Sequence, residues 1–220
     1  MQLTHSYSAV KLYENCPLRY YRQRVVKDVV DEGGEASKYG ERIHAHLEAR
    51  LRDKTPLPLE ASGYEGLCRS LERSAVGGEL HIEKELTLTE NLTPTGWWEP
   101  DAWLRSKLDV LVLRDDRAIV LDWKTGKRNP DFFQMGIFAA MVFKHYPQVE
   151  QVDTSLVWLR LMEMDTETYR RESNTNELWA DILGRIRRIY QSAEHDNWPA
   201  KPSGLCKFCP ARHDCAYART

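Results

Sequence analysis

No run of about 18 apolar residues occurs in this 220-residue chain, and Met1-Gln2-Leu3-Thr4-His5 has no basic segment leading into an apolar one. We therefore expect a cytoplasmic protein with no membrane partner. Charge of one sign is also missing: 31 Lys and Arg stand against 33 Asp and Glu, a formal net charge of -2. That balance neither favours nor excludes nucleic acid, because a basic groove can coexist with an acidic, metal-binding centre. No internal repeat or low-complexity stretch is evident. Cysteine is scarce at five, and in a reducing compartment such residues favour metal ligation over disulfides.

What is present is enough for a folded core. At 42% hydrophobic residues the chain suits a single domain, residues 1–220, with a helical part (1–78), a catalytic sheet core (79–195) and a cysteine tail (196–220). Ser8 is placed to cap a helix that turns Val10, Leu12, Tyr13 and Leu18 inward, with Pro17 bending the chain beside Cys16. Ser37 is placed to cap a second, striped by Ile43, Leu47 and Leu51. Pro56, Pro58, Gly63 and Gly77-Gly78 punctuate a loop region around a short helix. Alternation then predicts strands near Leu80–Leu88, Ala102–Arg114 and Arg117–Lys124. A helix follows at Asp131–His145, a strand at Val152–Leu161, an edge strand near Tyr169 and a closing helix from Thr175 to Glu194. The fold class is α/β (α+β), a mixed sheet flanked by helices.

Two apolar segments, Val110–Leu113 and Ala118–Leu121, are separated by Arg114-Asp115-Asp116-Arg117, which makes a hairpin. With Asp115-Asp116 as its two-residue turn, Asp109 falls opposite Asp122. Like charges directly opposed need a cation between them. Lys124, two residues beyond Asp122, points to the same face. Two carboxylates and a lysine suit metal-assisted phosphodiester hydrolysis, in which Mg²⁺ or Mn²⁺ activates water and the ammonium steadies phosphate oxygens. The bland alternative is an exposed hairpin with Asp122 and Lys124 as a surface pair.

Cys206, Cys209 and Cys215 lie too close in sequence to pair comfortably with one another and converge on a metal, with Cys16 as the remote fourth ligand. Four thiolates hold Zn²⁺ or a [4Fe-4S] cluster, and spacing alone does not separate them. Cys68 reads as an ordinary buried residue. His44 shares a helix face with Glu41 and Glu48, while His46, His81 and His213 draw no functional assignment. The basic groups Arg19/Arg22/Arg24, Lys124/Lys127/Arg128 and Arg185/Arg187/Arg188 are phosphate-contact candidates or solvated faces. Trp97, Trp98 and Trp103 could stack unpaired bases or pack the sheet.

Together Asp109, Asp122-Trp123-Lys124, Gln134 and the four cysteines resemble the PD-(D/E)XK nuclease superfamily, and more narrowly its RecB-like iron-sulfur branch. That branch includes CRISPR-associated spacer-acquisition exonucleases and AddB-type nuclease domains. The resemblance spans Ser8 to Cys215 and implies a restriction-endonuclease-like fold. It implies a Mg²⁺ or Mn²⁺ site at His44, Asp109, Asp122 and the Trp123 carbonyl, with Lys124 and Gln134 catalytic. It also implies a [4Fe-4S] cluster on Cys16, Cys206, Cys209 and Cys215, one remote ligand and three clustered ones being that branch's arrangement. Phe138 stands where the family usually has tyrosine, and Leu108 where its name has proline. The implied activity is a metal-dependent DNA exonuclease on single-stranded ends, in CRISPR adaptation, recombination or viral DNA processing. The alternative is a nuclease-fold adaptor that binds DNA and docks to integration or recombination proteins.

Overall fold

The computed structural model describes residues 3–218, which divide into two compact units: one built on Gly33–Trp179, the other on His5–Glu32 and the chain from Ala180 onward. Among the described residues no helix is long and apolar enough to cross a membrane.

The first unit is a five-stranded mixed sheet in the order β1-β2-β3-β4-β5. Strands β1 (Glu79–Leu88), β2 (Leu104–Arg114) and β3 (Arg117–Lys124) form an antiparallel meander. Strand β4 (Gln151–Trp158) runs parallel to β3, and β5 (Glu163–Arg170) closes the edge antiparallel to β4. A parallel neighbour demands a crossover, supplied by helix α5 (Phe132–His145). Every residue of α5 from Phe133 to Phe143 is buried, which explains why its apolar character runs around the helix instead of forming a stripe.

Two helices cover one sheet face. The stripe Ile43, Leu47 and Leu51 of α3 (Glu35–Asp53) joins Cys68 and Leu71 of α4 (Glu65–Ser74) against Val110, Val112, Leu121, Trp123 and Val157. Strand alternation sends Leu156 and Trp158 to the other face, where they meet Met135 of α5. Gly40 lets α3 approach the end of β3: a Cβ there would lie 3.0 Å from Thr125 Oγ1.

The β2–β3 hairpin has the anticipated register, from Val110 opposite Leu121 to Arg114 opposite Arg117, and turns at Asp115-Asp116 with Asp115 at φ 41°. Several element ends differ from the sequence expectation. Ser6, not Ser8, caps the first helix, α1 (Tyr7–Asn15): its Oγ accepts from the Ala9 N–H at 3.2 Å, while Ser8 Oγ only contacts Ser6 Oγ. Gly34 stands at the N-cap of α3, one turn ahead of Ser37, which instead donates to Glu41. Strand β4 stops at Trp158, because the chain turns there through Leu161 N–H to the Trp158 carbonyl. The closing helix α6 (Arg171–Glu194) begins immediately after β5, and Thr175 bonds back to the Arg171 carbonyl inside it.

In the second unit Pro17 starts a short helix α2 (Pro17–Tyr20) at its first position, so the chain bends at Cys16. Tyr13 donates to the Arg188 carbonyl at 2.9 Å and Arg185 pairs with Glu14 at 2.7 Å, which fastens α1 to the end of α6. Trp198 stacks on Tyr20 and Lys201 donates to the Glu14 carbonyl, so the tail returns to both α1 and α2.

Leu47 is fully buried one turn beyond His44. Leu47→Ala is expected to lower unfolding free energy by about 2–5 kcal/mol, read from the denaturant midpoint with an unchanged slope.

Candidate active site

The hairpin ladder stops at Val110 and Leu121, and the next residues are Asp109 and Asp122, the latter still paired through its backbone with Leu156 of β4. Both are buried, at 8% and 7% exposure, where a carboxylate needs partners. Asp109 Oδ2 accepts the Trp123 N–H at 2.7 Å. Asp122 Oδ1 accepts from Gln134 Nε2 at 2.9 Å, and Gln134 Oε1 accepts from Lys124 Nζ at 2.9 Å. Lys124 Nζ lies 2.6 Å from Asp122 Oδ2 as an ion pair, yet that oxygen takes no hydrogen bond of acceptable geometry. Gln134 reaches this triangle because Asp131 caps α5 three residues earlier, accepting from the Phe133 N–H.

His44 enters from α3. Its Nε2 lies 3.0 Å from the Trp123 carbonyl and its Nδ1 lies 3.4 Å from Asp109 Oδ1, so both ring nitrogens face acceptors. Burial lowers the histidine pKa, but the hydrogen bond and charge of Asp109, with Asp122 and the Trp123 carbonyl, outweigh it and the net shift is upward. Asp122 is pushed from 3.8 up to about 6, first by burial and then by the Asp109 charge, against the pull of Lys124.

One acid escaped the sequence reading. Glu83 in β1 offers a carboxylate oxygen within 4.8 Å of ligand atoms of His44 and Asp109, a group of three able to hold a cation. The signal for it was the β1–β2 register, which places position 83 opposite 109. The long connection between those strands hid that register, because only a tight turn fixes pairing from sequence.

The remaining candidates separate clearly. Arg19 pairs with Asp31, Arg22 with Asp28 and Asp214, Arg128 with Glu163 and Asp165, and Arg185 and Arg188 with Glu14, so much of the basic sequence is already neutralised. Trp103 is buried, whereas Trp98 is 84% exposed with the Arg105 guanidinium 5.7 Å from its ring. Phe138 and Leu108 are buried in the core. In the second unit Cys16, Cys206, Cys209 and Cys215 line one cavity with Arg19 and Arg22, while Cys68 is buried elsewhere.

The family model of the PD-(D/E)XK nuclease superfamily matches residues 4–216. No curated protein matches the chain. Among solved structures, a Eubacterium rectale protein described as a "putative exonuclease" aligns with a TM-score of 0.55 at 14% identity, covering 99% of this chain and 90% of its own. The structure of SSO0001 aligns with a TM-score of 0.44 at 13% identity, covering 100% of this chain and 89% of its own.

Both raised pKa values act in one direction. Stability from neutral Asp122 is complete below 3.8 and lost as pH rises through about 6; that from protonated His44 is complete below 6.5 and lost as pH rises past its elevated value. Metal-stripped protein in chelator is therefore expected to weaken from acid toward pH 7.5. Asp122→Asn should raise its stability at pH 7.5 by about 1–3 kcal/mol and give no gain at pH 4, compared by thermal melting at the two pH values.

Proposed function

Because the chain belongs to the PD-(D/E)XK nuclease superfamily, we propose that it is a divalent-metal-dependent DNA exonuclease acting on single-stranded ends. The observation that carries this reading is the junction of Asp109, Asp122, Lys124, Gln134 and His44 around one backbone residue, Trp123.

The donor set fits a hard cation: two buried carboxylates, a main-chain carbonyl and an imidazole. Asp109, Asp122, His44 and the Trp123 carbonyl would hold a Mg²⁺ or Mn²⁺ ion, which when bound would supply charge neutralisation at the phosphate and a more acidic water. Lys124, steadied between Asp122 and Gln134, then donates to the attacking water or to the phosphate oxygens as charge grows on them. Gln134 keeps that ammonium aimed. A proton on His44 competes with the cation, so metal affinity is expected to fall toward acid pH.

Exposed Trp98 beside Arg105 supports an unpaired strand as substrate, since a base can stack on the free indole face. The setting we favour is DNA processing, recombination or CRISPR adaptation. With Mn²⁺ and labelled single strands, the wild type should release nucleotides from an end. Lys124→Ala should slow this about 10²–10³-fold, and Asp122→Ala should abolish it. Cleavage undiminished in Asp122→Ala, or tight binding without cleavage by the wild type, would sink the proposal.

For the second unit we favour a [4Fe-4S] cluster on Cys16, Cys206, Cys209 and Cys215, with a structural role. Supporting it, the Lys201 and Ser203 N–H groups donate to the sulfurs of Cys16 and Cys206. Anaerobically purified protein should contain iron and absorb visible light. Cys16→Ser should lose both and melt earlier; iron-free protein containing stoichiometric zinc would reverse the assignment.

A further inference from the structure

Strand β1 contains a local irregularity at the edge of the candidate site. Glu83 has φ 54°, the left-handed region that a residue with a Cβ enters at a cost of about 1–2 kcal/mol. The β1–β2 ladder pairs Ile82 with Val110 and Lys84 with Leu108 but skips the step between them, where Glu83 and Asp109 stand opposite. In the sheet β2 is flanked by β1 and β3, so Asp109 lies between Glu83 on one neighbour and Asp122 on the other.

Glu83 has one close cationic partner, Lys107, whose Nζ is 2.5 Å from its carboxylate. Burial nonetheless pushes the Glu83 carboxyl upward, and Asp109 and Glu48 add to that shift against Lys107. Lys107 itself is 49% exposed and faces Glu48 and Glu85 as well as Glu83. An ion pair to a half-exposed lysine contributes about 0–1 kcal/mol, too little to sustain a left-handed residue inside a strand. What the distortion does achieve is to bring a carboxylate oxygen to His44 and Asp109, all three ligand atoms within 4.8 Å. Beside them Asp122, 7% exposed, holds its Oδ2 2.6 Å from the Lys124 ammonium.

We infer that Glu83 is a further ligand of a divalent cation bound by His44 and Asp109, with the Lys107 ammonium as the built-in cation that neutralises Glu83 until the metal displaces it. The inference rests on the nuclease reading for the role of Asp109 and extends it with a carboxylate from outside the hairpin. One imidazole with two carboxylates suits Mn²⁺ or Mg²⁺.

The full chain, stripped of metal, is titrated with Mn²⁺ and the free ion followed by electron paramagnetic resonance. Glu83→Gln should weaken Mn²⁺ binding about tenfold or more, with Glu83→Asp recovering part of it. Lys107→Met should tighten Mn²⁺ binding by up to about fivefold by removing the competing charge. A purely structural ion pair predicts the reverse pattern: Lys107→Met would lose stability and leave Mn²⁺ affinity where it was. Unchanged affinity in folded Glu83→Gln, checked by circular dichroism, overturns the inference; if that variant does not fold, unchanged or weaker binding by Lys107→Met overturns it. The nuclease reading is judged separately. Cleavage that depends on Asp122 while Glu83→Gln binds Mn²⁺ normally removes only Glu83 from the site. Binding that depends on Glu83 in a wild type that cleaves nothing removes the nuclease reading and leaves Glu83 a ligand.

Discussion

Two carboxylates at the facing ends of neighbouring strands, both nearly out of contact with water, set the terms for everything around them. Like charges held close together in a site screened from water repel, and that repulsion opposes folding. The surrounding elements answer that cost with a main-chain N–H on Asp109, an amide and an ammonium on Asp122, and an imidazole between Asp109 and a carbonyl. The answer is partial, since Asp122 stays pushed toward its neutral form. The helices share this duty as well as the core: α3 delivers His44 from one turn before Leu47 on the same face, and α5 delivers Gln134 from a wholly buried segment.

The hairpin was legible in the sequence because a two-residue turn leaves little freedom in register. Once Asp115-Asp116 is the turn, the opposition of Asp109 and Asp122 follows from strand geometry alone. The parity of Lys124 follows likewise, and its ion pair with Asp122 is the outcome. Alternation placed the strands and the stripe Ile43, Leu47 and Leu51 placed α3 for the same reason, since burial on one face imposes its period on the residues. His44 was a different matter. Helical spacing puts it on a face with two glutamates, but its approach to Asp109 depends on α3 lying close at Gly40, and tertiary contact of that kind leaves no periodic trace.

Caps and strand ends were the least legible. Ser6 and Ser8 are equally good capping residues by chemistry, and the choice fell to the one whose Oγ reaches Ala9. The early start of α6 was hidden because Arg171 looks like a strand or loop residue. In place, its guanidinium gathers the carbonyls of Phe143, Tyr146 and Val149, satisfying acceptors at the C-terminal end of α5 and in the turn beyond. Glu83 was invisible because left-handed backbone inside a strand has no sequence signature when the residue is neither Gly nor Asn.

Trp123 contributes to the candidate site with its main chain, the N–H serving Asp109 and the carbonyl serving His44, while its indole is buried in the core beneath α3 and α4. Position 123 therefore keeps two kinds of selection apart. Replacing the indole by another large apolar group perturbs packing volume without deleting a polar contact, since every peptide unit supplies the same donor and acceptor. Sequence drift at 123 can thus be broad among apolar residues, with one sharp exclusion: proline, which lacks the N–H that Asp109 accepts.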